Sequence, residues 1–207
     1  SSARLVATAL AILAIGAGIA LAAAVRGRFA RFAAFSTLAP FVASFFHEHD
    51  LVVAYAGAAW CAIRTRGTTR IVALAGALLV AVDWLGLAQR PTGIAQSALL
   101  AVAAMAAFAA LGERTERWTF AVMAAFAAVF VAAAISAVHH PAPIWPDAMQ
   151  AFHAPDEPIA RVWSDEQRAS GLLATVPAWA LLRSLSLLGC ALLAYAIYRH
   201  SSRCRTG

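Results

Sequence analysis

The chain has 207 residues, 62% of them hydrophobic and only 13% charged, whereas a soluble domain carries about one quarter charged residues. Its formal net charge is +6 and it contains no lysine. These figures exclude a soluble domain built on one core, and the missing lysine excludes a Schiff-base site. The positive charge does not read as a nucleic-acid footprint, because the arginines sit at the ends of apolar runs, as they do where a membrane protein sets its orientation.

Runs of about 20 apolar residues, the length that crosses a hydrocarbon core of about 30 Å, recur along the chain. In order they predict spans over residues 5–25, 32–46, 51–63, 71–88, 94–112, 118–138 and 171–198. The fold class expected is all-α: one polytopic helical bundle with about seven transmembrane helices. Arg26, Arg28 and Arg31, then Arg64, Arg66 and Arg70, then Arg114 and Arg117, then Arg199, Arg203 and Arg205 mark every second boundary. Glu48, Asp50, Asp147, Asp156, Glu157, Asp165 and Glu166 fall at the boundaries between. The positive-inside rule then puts the amino terminus outside and the carboxyl terminus in the cytoplasm, as a multi-pass protein of a bacterial inner membrane. An outer amino terminus that begins Ser1-Ser2-Ala3-Arg4 fits a chain from which earlier spans are missing.

Between spans two and three lie His47-Glu48-His49-Asp50. Residues 32–63 must make two crossings, and at ~1.5 Å per residue they cover ~48 Å of the ~60 Å required. The turn is therefore expected below the outer surface, where ionisable groups are costly and by default functional. Glu48 and Asp50 are the candidate catalytic carboxylates, and His49 lines the same cavity. His47 and His49, at a spacing of two, share a face in an extended or turn geometry; with the carboxylates beside them they are the candidate ligands for a divalent metal ion.

Asp83, in span four, and Arg183, in span seven, lie at depths that allow them to pair if those helices touch. Arg183 also suits a lipid phosphate, which its forked donors match. The loop 139–170 holds five prolines, Trp145 and Trp163. Short interfacial helices are expected over Asp147–His153 and Ile159–Arg168, forming either a surface-lying loop or a lid that brings His153, Arg161 and Arg168 to a substrate. Cys61, Cys190 and Cys204 form no CxxC pair and read as free thiols.

The segment Ala39-Pro40, Phe45-Phe46 and His49-Asp50-Leu51 resembles a late-chain feature of the polyprenol-phosphate-mannose-dependent mannosyltransferases of the GT-C superfamily. The likeness covers roughly residues 5–88. It implies a membrane glycosyltransferase, or the carboxyl-terminal part of one, taking a lipid-linked sugar at the outer face. That family's catalytic acid lies in an early outer loop that this sequence lacks, so the resemblance supports only His49 and Asp50, as cavity-lining residues. Two further readings stand beside it. One is a transporter or metal-handling permease with His47, His49 and Asp83 along its path. The other is a non-catalytic subunit held to a membrane-protein partner through its alanine faces.

Overall fold

The computed structural model describes residues 2–42, 48–83, 91–109, 117–141, 148–171 and 177–206. Within them the chain is all-helical. The elements are α1 (Ser2–Ala24), α2 (Arg28–Val42), a 3-10 segment (Glu48–Ala54) that runs directly into α3 (Tyr55–Arg64), α4 (Gly67–Val80), α5 (Pro91–Ala109), α6 (Arg117–His139), α7 (Ile159–Ala169) and α8 (Pro177–Thr206). Alanine dominates α1, α5 and α6, and leucine with alanine dominates α8, so helix propensity and apolar burial point the same way. Pro91 and Pro177 open their helices, where a missing N–H is no loss. Gly67 turns the chain between α3 and α4 at φ +55°, a region closed to most side-chain-bearing residues.

The most extensive packing is between α4 and α8, and glycine makes it possible. A Cβ on Gly189 would stand 2.6 Å from both the Gly76 oxygen and the Val80 nitrogen, and one on Gly76 would stand 2.9 Å from the Gly189 oxygen. The two backbones therefore meet with nothing between them, as small residues permit between membrane helices. On one side of this seam Val25, Ala33, Leu51, Cys61, Val72 and Ile197 form a core. On the other, Leu79, Ile94, Ala104, Phe130, Trp179 and Leu182 form a second. Cys61 and Cys190 are buried free thiols.

Among the described residues, α8 is the one helix long and apolar enough to cross a membrane, over Pro177–Ser202. Shorter apolar stretches occur at Ile12–Ala24, Gly67–Val80, Gly93–Ala109 and Ala127–His139. Large apolar side chains point outward all round the bundle, among them Ile12, Leu13, Ile19, Phe32, Ile63, Leu99 and Ile135.

Three local expectations change. The reach of the segment after the polar cluster is longer than α-helical rise implies. A 3-10 helix climbs ~2.0 Å per residue, so residues 51–64, beyond the cluster, cover ~23 Å against ~21 Å for an unbroken α-helix, still short of a hydrocarbon core of ~30 Å. The added reach eases the shortfall without removing it. Helix α4 ends at Val80 with Ala81 as its C-cap, and residues 81–83 form a turn, so Asp83 lies two residues beyond the cap instead of inside the helix. Residues 148–153 are irregular, not helical, because the Gln150 and Ala151 amides are given to a side chain, as described below.

Candidate functional site

At the Asp83 end of the seam, α4 and α8 exchange polar contacts. The Asp83 N–H donates to Ser186 Oγ at 3.2 Å. That hydroxyl lies 3.3 Å from the Leu79 and Val80 oxygens, in the last turn of α4; the Leu79 oxygen also accepts the Val82 N–H at 3.1 Å. Arg183, one turn before Ser186, brings its Nε to 3.8 Å from Asp83 Oδ2. The Asp83 side chain is 5% exposed and that of Arg183 45%. The carboxylate is thus inside the bundle, and the guanidinium stands at its boundary. Nearby order comes from Ser97 Oγ, which donates to the Val82 oxygen at 2.8 Å, and from Trp179 Nε1, which donates to the His140 oxygen at 3.0 Å and ties the start of α8 to the end of α6.

The loop before α8 is closed by a second polar group. Glu166, buried on α7, accepts the Gln150 N–H at 2.8 Å and the Ala151 N–H at 2.9 Å. His153 bridges two carboxylates, with Nε2 2.7 Å from Glu166 Oε1 and Nδ1 3.1 Å from Glu157 Oε2. Arg161 Nε stands 3.4 Å from the other Glu157 oxygen. The two backbone amides, with His153, hold the Glu166 carboxyl below its ordinary pKa. The Glu166 hydrogen bond first, and Glu157 after it, raise that of His153. The imidazole is clamped from both sides, an arrangement that ties a loop; its nitrogens do not converge with other donors on one point. Among the described residues no three His, Cys, Asp or Glu side chains are grouped to hold a metal ion.

The structure thus brings together Asp83 with Arg183, and His153 with Arg161 through Glu157. Asp50 is half-buried in the 3-10 segment. Glu48 and His49 begin that segment, but their side chains, and the whole of His47, lie outside the described residues. The catalytic pair Glu48 and Asp50 and the metal pair His47 and His49 therefore remain expectations from the sequence. Sequence reasoning missed Glu157 and Glu166 as partners of His153. The spacing of four between His153 and Glu157 was a usable signal; nothing in the sequence links His153 to a residue thirteen positions on.

The chain matches no family model, and no curated protein or solved structure is similar to it.

Proposed function

We propose that this chain is a seven-crossing integral membrane protein, amino terminus outside and carboxyl terminus in the cytoplasm, that handles a phosphate-bearing lipid at its outer end. The membrane reading is supported by α8, by the apolar side chains exposed around the bundle and by the alternation of arginine-rich and acid-rich boundaries. Met149, Phe152 and Ile159, exposed on the loop and the start of α7, suit a segment lying in the headgroup region.

The observation that carries the functional reading is the Asp83–Arg183 pair. A buried carboxylate aims a half-exposed guanidinium at the end of the bundle, and a guanidinium held in this way recognises phosphate through paired N–H donors. Transfer of a sugar from a polyprenyl phosphate is the enzymatic form of this reading. It rests on the resemblance around Ala39-Pro40 and His49-Asp50-Leu51, with Glu48 or Asp50 orienting the acceptor hydroxyl.

Mass spectrometry of lipids extracted from the purified chain tests it. Polyprenyl-phosphate sugars retained by the native protein and lost from Arg183→Ala support the reading, as does sugar transfer lost in Asp50→Asn. No such lipid in the native protein, and no transfer activity in its membranes, overturns it. Labelling of Met149→Cys but not Arg66→Cys by an impermeant maleimide, in whole cells and a cysteine-free background, checks the orientation.

A further inference from the structure

The opposite end of α4 and α8 is built differently. Two cavities lie there and share Arg64 and His200. One, of about 270 Å³, is bordered by Arg26, Arg28 and Trp60 as well. The other, of about 450 Å³, is bordered by Ile63, Arg66 and Thr69. Trp60 meets the His200 ring edge-on at 5.4 Å, which fixes α3 against α8 at this point. Among the described residues Arg26, Arg28, Arg64 and Arg66 form no ion pair with a carboxylate. Arg31, by contrast, donates to the Val25 oxygen at 3.1 Å and closes the end of α1.

Helix α4 starts on the second cavity. Its N-cap residue, Arg66, supplies no side-chain cap, so the first-turn amides have no acceptor from it. Thr69, in that turn, is 3% exposed, lines the cavity, and its Oγ1 is buried with no hydrogen-bond partner. Other buried threonines behave otherwise: Thr37 Oγ1 donates to the Ala34 oxygen and Thr65 Oγ1 to the Cys61 oxygen, at 2.8 and 2.7 Å. A buried hydroxyl without a partner is costly. Here it stands beside two guanidiniums and a helix N-terminus, which together suit one ligand chemistry, a phosphate.

We propose that this end of the bundle binds the phosphate of an anionic phospholipid, held by Arg64, Arg66, Thr69 Oγ1 and His200, with an acyl chain in the groove between α3 and α4. That groove, of about 800 Å³, is lined mainly by apolar residues, among them Tyr55, Ala58, Ala62 and Leu74, with Arg70 among them. The two are bordered by neighbouring positions at the start of α4: Arg66 and Thr69 line the phosphate cavity, Gly67 and Arg70 the groove. That adjacency selects a lipid over a free phosphate. The site stands on residues remote from Asp83 and Arg183 and does not rest on the outer-end reading.

The test is native mass spectrometry of the full chain in detergent, titrated with phosphatidylglycerol, phosphatidylcholine or inorganic phosphate. Phosphatidylglycerol is expected to bind roughly tenfold more tightly than phosphatidylcholine, and the double variant Arg64→Ala/Arg66→Ala to lose roughly that factor. Thr69→Val, which keeps the shape and removes the hydroxyl, loses roughly three- to tenfold. Leu74→Trp, filling the groove, weakens the lipid and not inorganic phosphate. Arg168→Ala, in the last turn of α7, changes nothing. Equal binding of both lipids, or full retention by the double variant with an unchanged melting temperature, overturns the proposal. Inorganic phosphate binding as tightly as the lipid overturns its acyl-chain part.

Discussion

The two ends of the α4–α8 seam treat charge in opposite ways. At one, every ionisable group whose contacts are described above is answered within the chain: Asp83 by Arg183, His153 by Glu157 and Glu166, and Arg168 by Asp165 at 2.8 Å. At the other, arginines from α2, α3 and the α3–α4 turn border open cavities with no carboxylate among the described residues that line them. Charge satisfied internally holds a structure together. Charge gathered at a cavity and left without a counter-ion waits for a partner from outside. The contrast predicts that substitutions at the first end change stability as well as any lipid held through Arg183, and that those at the second change binding with little change in stability.

The sharpest way to break the contrast is to part the seam that both ends share. Gly189→Val forces a side chain into the space of the Gly76 oxygen and the Val80 backbone. Since backbone cannot step aside as a side chain can, the cost is expected to exceed about 3 kcal/mol, seen as loss of the folded monodisperse protein in detergent. The Asp83–Arg183 pair gives the next largest effect, and an asymmetric one. Arg183→Ala strands a buried carboxylate and is expected to cost about 2–3 kcal/mol, less than a fully buried pair because the arginine is nearly half exposed. Asp83→Ala leaves a guanidinium that can turn to the boundary, at a cost of about 1 kcal/mol. Equal costs in thermal unfolding would sink the claim that only the acid is interior.

The His153 clasp predicts a pH window. Raising the pKa of His153 from its ordinary 6.5 adds stability that is full below 6.5 and is lost as pH climbs through the raised value. Lowering that of Glu166 from 4.5 adds stability that is full above 4.5 and is lost as pH falls through the lowered value. Protection of the Gln150 and Ala151 amides, measured against the intrinsic exchange rate at each pH, is therefore expected to be greatest between these limits and to fall on either side. Glu166→Gln should flatten the profile and speed exchange roughly tenfold. The smallest effect belongs to the other end: Arg64→Ala and Arg66→Ala are each expected to change stability by no more than about 0.5 kcal/mol, while altering lipid binding. A large destabilisation there would show that those arginines have structural partners after all.

Sequence alone determined the helical class and the separation of arginine-rich from acid-rich boundaries. Each of these is a local matter of composition and period, readable within a window of one helix. It also named Asp83 and Arg183 as a pair to look for, since a charge inside an apolar run demands an answer. Tertiary structure decided what distant segments do to one another. It set the backbone contact of Gly76 with Gly189, the capture of the Gln150 and Ala151 amides by Glu166, and the meeting of Arg64 and Thr69 with His200. It also wound residues 48–54 as a 3-10 helix, which lengthened a segment that α-helical arithmetic had left short. None of these is encoded by spacing along the chain. Each depends on which helices pack together, and that choice is made by the summed fit of whole helix faces, to which any single residue contributes only a small part.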